Sequence, residues 1–400
     1  MVIKPMIRSN VCINAHPAGC ARETERQIAY VQDCKAKKHI ENDQGPKAVL
    51  VLGCSTGYGL ASRITAAFEY GAATIGVSFE KEGSEKKGGT PGWYNNLAFD
   101  CAAKNAGLPS VTLNMDAYSD ECRKTVIDEA KKLGISFDLV IYSLASPVRT
   151  DPDTGVLYKS VLKPIGKPFS GQTVDMMSGK ISVMTAEPAT EEEAANTVKV
   201  MGGEDWERWI TQLEAAGVLA RGCMTVAYSY IGPELSHAIY RDGTIGGAKK
   251  HLEKTARSLD AMLTAKLGGH AYVSVNKGLV TRSSAVIPII PLYLSVLFKV
   301  MKGMGIHEGC IEQMERLFTQ RLYTGQDVPV DSEHLIRIDD WELRPDVQTE
   351  VNARLAKITE DNLAELADME GYRHDFLATN GFDVAGVDYD ADVARMDTIA

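Results

Sequence analysis

The feature that most constrains this chain is a cluster of glycines lodged between a short apolar run and an amphipathic one. The stretch VLVLGCSTGYGLASRITAAFEYGA runs from Val49 to Ala72. Lys47 to Leu52 reads as a strand buried on both faces, and Leu60 to Phe68 repeats apolar side chains at helical spacing. Gly53, Gly57 and Gly59 therefore fall where a strand turns into a helix. The first turn of a helix carries unpaired N–H groups and a partial positive charge, and backbone without Cβ atoms lets a pyrophosphate approach them. The order here is G-x-x-x-G-x-G, unlike the G-x-G-x-x-G of the usual dinucleotide fingerprint. A tight turn that binds nothing could carry the same glycines, so the surrounding pattern has to decide.

That pattern is an alternation. Ala73 to Glu80 reads as a second strand, Trp93 to Asn105 as a helix and Ser110 to Asp116 as a third strand. Ser119 to Gly134 follows as a charged amphipathic helix capped by Ser119, and Phe137 to Ser146 as a fourth strand. Strand and helix in turn over about a hundred residues predict a doubly wound α/β fold, a parallel sheet with helices on both faces. Ligands of such sheets lie across the carboxyl ends of the strands. The candidates fall on those ends: Gly53 to Gly59 after strand one, Phe79 and Glu80 closing strand two, Asp116 and Ala117 closing strand three, and Ser143 to Ala145 closing strand four. A lone carboxylate at a strand end is usually a solvated turn residue, but candidates at four successive ends point to a bound nucleotide. The Glu80 carboxylate can accept hydrogen bonds from a ribose 2′-OH and would repel a 2′-phosphate, which favours NADH over NADPH. Lys81, Lys86 and Lys87 nearby keep NADPH open.

From Pro147 the alternation stops. Residues 150 to 190 carry TDPDTG, GKPFSGQ and DMMSGK turns between short apolar pieces, which predicts an inserted hairpin or excursion. Glu191 to Ala216 looks helical, Gly222 to Ile231 a fifth strand and Gly269 to Val275 a sixth, so the sheet resumes. The expected organisation is one enlarged domain: an N-terminal extension (1–46), a dinucleotide-binding half (47–146), an insertion (147–221), a catalytic and substrate-binding half (222–300) and a helical, charged C-terminal region (301–400).

Composition excludes several roles. With 43 Lys and Arg against 53 Asp and Glu, the net charge is −10, and with a pI near 5.4 this argues against a nucleic-acid or anionic-membrane surface. The opening Met1-Val-Ile-Lys-Pro-Met lacks the pattern of an export signal. The greasiest run, Ala285 to Val300, is too short to span a bilayer and holds Pro288, Pro291 and Lys299, so it reads as a buried helix or a lid over an apolar pocket. Eight cysteines scattered singly suit a reducing cytosol. Cys12, His16 and Cys20 share a four-residue spacing, but Pro17 and Gly19 are expected to break any helix there and no fourth ligand is near, so no metal is expected.

Hydride transfer involving a nicotinamide leaves charge on a substrate oxygen, which calls for a proton donor or an electrostatic clamp. Tyr228, Tyr230, Tyr240, Lys249 and Lys250 follow the fifth strand and offer the parts. A tyrosine beside an ammonium serves, because the positive charge lowers the phenol pKa. Tyr240 and Lys249 are nine residues apart, two and a half turns, which on a straight helix would set them on opposite faces. Asp242-Gly243 and Gly246-Gly247 lie between, so the helix is expected to break and restart near Ala248. A core tyrosine and a solvated lysine would look the same from these residues alone.

Longer strings carry a resemblance. The chain resembles the trans-2-enoyl-CoA reductases and the related V-class (FabV) enoyl-acyl-carrier-protein reductases of the short-chain dehydrogenase/reductase superfamily. It does so from KPMIRSNVCINAHPAGC through GCSTGYGLASRITAAF, GTPGWYNNLAFD, YSLASPVRTDP, VMGGEDWERWI, AYSYIGPE, NKGLVTRSSAVIPIIPLY and RIDDWEL to GYRHDFLATNGFD. Tyr240 and Lys249 match the family's Tyr-x8-Lys. The resemblance implies a Rossmann-type fold and NADH-dependent reduction of the double bond of a 2-enoyl thioester, carried by CoA or acyl-carrier protein. It implies Tyr240 as the enolate-stabilising proton donor, Lys249 as the holder of the nicotinamide ribose, and Tyr230 as a substrate contact. Gly53, Cys54, Ser55, Thr56, Gly57, Tyr58, Phe79, Glu80, Asp116, Ala117, Leu144, Ala145, Lys249, Leu279, Val280 and Thr281 would line the cofactor, and the apolar run after Thr281 would shield the acyl chain. A cytoplasmic monomer or weak dimer is expected. A carbonyl reductase of the wider superfamily and a non-catalytic NADH sensor are the competing readings; the nine-residue spacing and Tyr230, where carbonyl reduction usually has serine, count against the first.

Overall fold

The computed structural model describes residues 2–8, 11–281 and 289–399. Among them a seven-stranded parallel sheet forms from β1 (Ala48–Leu52), β2 (Ala73–Ser78), β3 (Ser110–Asn114), β4 (Phe137–Tyr142), β5 (Leu219–Ser229), β6 (His270–Val275) and β7 (Leu335–Arg337). Their spatial order is β3-β2-β1-β4-β5-β6-β7. The order reverses between β1 and β4, and a doubly wound sheet opens its ligand crevice at such a point.

Alternate side chains of these strands enter two different cores because a strand repeats every two residues. Leu50, Leu52, Ile75, Val77 and Val140 pack with α4 (Asp120–Leu133), α6 (Glu204–Ala215) and α7 (Thr244–Leu267) on one face. Val49, Val51, Leu139 and Ile141 pack with α1 (Pro17–Lys38), α2 (Gly57–Ile64), α3 (Pro91–Asn105) and α9 (Cys310–Leu317) on the other. Full burial of each such side chain contributes about 1.5–3 kcal/mol relative to exposure. Both faces being covered explains the unbroken apolar runs in the sequence. A third core gathers α8 (Ile290–Gly303), α10 (Pro345–Leu355), α11 (Leu363–Leu366) and α12 (Met369–Ala378) around Leu297, Phe298 and Tyr372.

One charged side chain ties β2, β3 and α2 together from inside. Arg63 is fully buried. Its guanidinium donates to the hydroxyls of Thr112 at 2.8 Å and Ser110 at 2.9 Å and to the Val111 carbonyl at 3.0 Å. It lies 4.1 Å from the centre of the Phe99 ring, so the cation is hydrogen-bonded as burial requires.

Several boundaries differ from those read in the sequence. β2 ends at Ser78, β3 at Asn114 and β4 at Tyr142, so Glu80, Asp116 and Ser143–Ala145 follow their strands rather than closing them. The excursion is two hairpins, Val148–Thr150 with Leu157–Lys159 and Phe169–Val174 with Ile181–Ala186. The expected helix from Glu191 to Ala216 is two, α5 (Glu191–Met201) and α6, parted at Gly202-Gly203, where a Cβ at Gly203 would collide with Thr255 of α7. Pro17 and Gly19 do not break a helix. Pro17 occupies the first turn of α1, where its missing N–H costs nothing, His16 Nδ1 accepts from the Gly19 N–H at 3.2 Å, and Gly19 packs against the Gly381 backbone. β7 went unread because three residues carry too little pattern. Ser119 caps α4 as expected, accepting from Cys122 N–H at 3.1 Å. Residues 285–288 of the apolar run lie outside the described residues; the rest enters α8, a buried helix.

A buried carboxyl outside these strands gives the fold a pH dependence. Glu69, in the wide-turned stretch Thr65–Glu69 that continues α2, is fully buried. Desolvation, then the neighbouring Glu315 carboxylate, push its pKa from 4.5 up to about 8, against the opposing pull of Lys38 and Lys35. The folded chain thus holds a proton that the unfolded chain releases, so stability falls as pH rises from 4.5 to about 8. Glu69→Gln should remove that slope, its melting temperature gaining on the wild type across this window; parallel curves would count against it.

Candidate active site

The glycines open the crevice at the carboxyl ends of β1 and β4. Gly53 adopts φ +88°, which glycine alone reaches easily, and donates to the Val77 carbonyl at 2.9 Å. A Cβ there would overlap the Ser143 carbonyl, and one at Gly59 would overlap the Gly53 carbonyl. The turn therefore lies against β4, and α2 starts at Gly57 (φ +54°) with its N-terminus at the crevice. Thr56, the residue before it, makes no side-chain cap, so its hydroxyl does not occupy the helix end. Cys54 is fully buried and offers only backbone.

Around this turn the structure collects most of the expected cofactor-lining residues. Ser55 Oγ donates to Glu80 Oε1 at 2.6 Å. Asn114 holds the Glu80 backbone by two bonds, accepting from its N–H at 2.7 Å and donating to its carbonyl at 2.9 Å. A Cβ at Gly92 would strike the Glu80 carboxylate, so Glu80 sits against the first turn of α3, where an anion is favoured. Phe79 is 77% exposed beside it. Asp116 is turned onto its own loop, accepting from Tyr118 N–H at 2.9 Å, and the Ala117 carbonyl accepts from Trp209 Nε1 at 3.0 Å. Leu144 reaches the space above Gly53, with Ala145 exposed after it. Across the crevice Tyr58 donates to the Lys277 carbonyl at 2.6 Å, Leu279 and Val280 are buried, and the Thr281 methyl faces Gly57.

The segment after β5 sorts the five Tyr and Lys candidates. Tyr228 belongs to the core, its hydroxyl 2.5 Å from Ser62 Oγ on α2, and Lys250 is exposed. Lys249 donates to the Tyr228 carbonyl at 3.0 Å, so its ammonium stands at the carboxyl end of β5. Tyr240 lies in the turn before α7, which starts at Thr244, earlier than the expected restart near Ala248. Thr244 can start the helix because the insertion anchors it: its N–H donates to the Lys163 carbonyl at 3.0 Å, and its hydroxyl accepts from Lys163 N–H at 3.2 Å. With Tyr240 outside the helix, the opposite-face objection disappears. The Tyr230 and Tyr240 rings meet edge to face at 5.1 Å.

The electrostatics overturn one expectation. Burial pushes the Tyr240 phenol up to about 12, and no lowering by Lys249 accompanies it. Lys249 is bonded to the Tyr228 carbonyl, and no hydrogen bond joins it to Tyr240 among the described residues. Burial lowers the Lys249 ammonium to about 8, with Glu253 opposing. Tyr240 is therefore a protonated phenol at neutral pH, and among the described residues nothing hydrogen-bonds its hydroxyl. Tyr230 instead donates to Glu342 Oε1 at 3.1 Å. Glu342 went unread because one acidic residue in RIDDWEL, more than a hundred positions from Tyr230, has no local signal. Among the described residues no group of three His, Cys, Asp or Glu side chains could hold a metal ion.

A glycine turn at the reversal point of a parallel sheet, open to a pyrophosphate and flanked by a carboxylate, defines a dinucleotide-binding protein of the Rossmann class. Similarity then narrows the class. Residues 87–323 match the family described as trans-2-enoyl-CoA reductase catalytic region, and residues 2–85 its NAD(P)H binding domain. This chain belongs to the trans-2-enoyl-CoA reductase family. It is 63% identical to the trans-2-enoyl-CoA reductase [NADH] of Treponema denticola over 400 residues, covering 100% of both chains. It is 54% identical to an enoyl-[acyl-carrier-protein] reductase [NADH] of Cytophaga hutchinsonii, covering 100% of this chain and 99% of the other. The crystal structure of the Treponema denticola enzyme in complex with NAD superposes with a TM-score of 0.95, at 62% identity and full coverage of both chains.

Residues 330–393 match a third family, described as enoyl reductase FAD binding domain. In this chain the segment is β7 with α10, α11 and α12, whose Val347, Val351, Leu366, Tyr372 and Phe376 are committed to the core around α8. It has no strand-to-helix glycine turn, and Gly381 packs on α1. These residues do not fit a flavin nucleotide.

Gly246 tests the placement of Tyr240. Its N–H donates to the Tyr240 carbonyl at 2.9 Å, and a Cβ would run into the carbonyls of Arg241 and Tyr240. Gly246→Ala should lower turnover at least about tenfold and leave NADH affinity within about threefold, as read by NADH fluorescence titration beside steady-state rates.

Proposed function

We propose that this protein reduces the carbon–carbon double bond of trans-2-enoyl thioesters with NADH, releasing the saturated acyl thioester. Membership of the family supports the reading. The observation that carries it is the pair of facing tyrosines beyond β5, one hydroxyl committed to a carboxylate and the other protonated and without a hydrogen-bond partner among the described residues.

The glycine turn and the N-terminus of α2 would hold the pyrophosphate, Glu80 the adenosine ribose, the exposed Phe79 ring and the Asp116–Ala117 loop the adenine, and Leu144, Ala145 and Leu279–Thr281 the nicotinamide end. Bound NADH supplies the hydride, which goes to the β-carbon of the enoyl group. Charge then moves to the thioester carbonyl oxygen, Tyr240 donates its hydrogen bond there as the charge grows, and uptake of a proton at the α-carbon collapses the enolate to the saturated thioester. A phenol with a pKa near 12 is a poor acid toward water but a sound donor to an enolate oxygen, which is itself strongly basic. Lys249 is held on the Tyr228 carbonyl; it would bind the ribose hydroxyls and add positive charge beside the developing anion. Tyr230 forms the wall opposite Tyr240 against the substrate.

CoA is the carrier we favour, with acyl-carrier protein as the second, following the names of the relatives. We further place the protein in the cytoplasm, which cysteines scattered singly along the sequence suit, as a monomer or weak dimer. The chain acts as one enlarged domain, a reading supported by β7 closing a sheet that begins at Ala48. No helix among the described residues is long and apolar enough to cross a membrane.

Purified protein should oxidise NADH when given crotonyl-CoA, followed by loss of NADH absorbance. Tyr240→Phe should bind NADH within about threefold of wild type while losing about a hundredfold or more in turnover. Turnover on acetoacetyl-CoA alone would replace this reading with carbonyl reduction, and a Tyr240→Phe variant as active as wild type would remove the proton donor. In the free enzyme kcat/KM for NADH should fall as pH rises through about 8, where Lys249 loses its charge; Lys249→Arg should abolish the fall.

A further inference from the structure

Behind Tyr230 lies a buried carboxylate that the reduction does not itself use. Glu342 follows β7 and is fully buried. Its Oε1 accepts from the Tyr293 hydroxyl at 2.7 Å and the Tyr230 hydroxyl at 3.1 Å, and its Oε2 accepts from the Gly278 N–H at 2.6 Å. Gln348 braces the same corner, donating to the Glu342 carbonyl at 2.7 Å and to the Tyr293 hydroxyl at 3.2 Å. Three donors from three elements, β5's end, α8 and the loop after β6, converge on one side chain. A Cβ on Gly278 would stand 3.0 Å from the Tyr230 hydroxyl and 3.4 Å from Glu342 Oε1, so the loop and the tyrosine are packed against each other with the carboxylate between them.

We infer that Glu342 is a positioning residue for both sides of the crevice: it holds the Tyr230 hydroxyl, and through the Gly278 N–H it fixes the loop that leads to Leu279–Thr281. The inference rests on the proposed reading of Tyr230 and Tyr240 as the substrate wall. The physical reason is the proton inventory. A tyrosine whose only hydroxyl proton points at Glu342 cannot donate to the thioester oxygen, so it cannot compete with Tyr240 for the developing charge. Its ring is at the same time locked edge-on at 5.1 Å against Tyr240. Without the carboxylate, the Tyr230 hydroxyl would turn to the substrate oxygen or to Tyr240, and the Gly278 N–H would be left buried and unpaired. Buried Lys277, adjacent in the chain, supplies positive charge toward Glu342, opposing the desolvation that raises the carboxyl's pKa.

The experiment compares Glu342→Gln, Tyr230→Phe, Tyr293→Phe and the Glu342→Gln/Tyr230→Phe double variant in NADH oxidation with crotonyl-CoA, with NADH affinity and melting temperature measured alongside. Glutamine keeps the size but replaces one acceptor oxygen with a donor, so the Gly278 N–H and the two tyrosine hydroxyls can no longer all donate to it. Glu342→Gln should lower kcat/KM for crotonyl-CoA about tenfold or more. Tyr230→Phe should do the same, and the double variant should be little worse than either single, because both break one link. Tyr293→Phe loses a bond to the same carboxylate without touching Tyr230 and should change kcat/KM by less than about threefold. Additive effects in the double variant, or Tyr293→Phe as costly as Tyr230→Phe, would overturn the inference. If Glu342→Gln does not fold, the contrast between Tyr230→Phe and Tyr293→Phe still decides. Wild-type protein inactive on crotonyl-CoA would instead sink the proposed reaction, a failure distinct from that of Glu342.

Discussion

The close approach of the Gly53–Gly59 turn to the end of β4 is the constraint on which the rest of the site depends. Strand β1 can pass directly into α2 because neither Gly53 nor Gly59 carries a Cβ where the Ser143 and Gly53 carbonyls lie. Any side chain there would push α2 off the sheet and close the reversal point between β1 and β4. The positions around it follow. Ser55 is brought to Glu80, Tyr58 to the Lys277 carbonyl, and Gly57 to Thr281. One backbone turn thus sets both walls of the nucleotide crevice, and the helix N-terminus between them has no need of a charged side chain to receive a phosphate.

The second half of the site is built on a different principle. Tyr240 and Lys249 are not spaced along one helix; one sits in a turn and the other one turn and a half into α7. The insertion makes this possible, since its Lys163 carbonyl and N–H clamp Thr244 at the start of α7. Residues 147–221 therefore help to place the turn that carries Tyr240. The C-terminal region plays an equivalent part for Tyr230, through Glu342. Segments remote in sequence brace each tyrosine from its own side.

Electrostatics give the two tyrosines unequal chemistry. Both are half-buried, and desolvation keeps both phenols protonated. What distinguishes them is the partner: a buried carboxylate for Tyr230, none among the described residues for Tyr240. Lys249 is held on the Tyr228 carbonyl, and among the described residues no hydrogen bond joins it to Tyr240.

The doubly wound class, six of the seven strands and the glycine turn were legible in the sequence, because each rests on local physics; Tyr240 and Lys249 were singled out only by the resemblance. Apolar runs of strand length mark strands covered on both faces, glycine marks backbone that must pass where a Cβ cannot, and Ser119 marks a helix start. The long matching strings added the reaction class. Errors arose where local signals are weak or ambiguous: Pro17 was read as a breaker although proline is well suited to a first turn, and β7 is too short to show a period. Tertiary structure alone decided which tyrosine donates to a buried carboxylate, how nine residues separate Tyr240 in a turn from Lys249 on a helix, and that Glu342 stands behind Tyr230. Those are matters of which groups meet across more than a hundred residues of chain and of how far water is excluded when they do, and neither is written in the order of the residues.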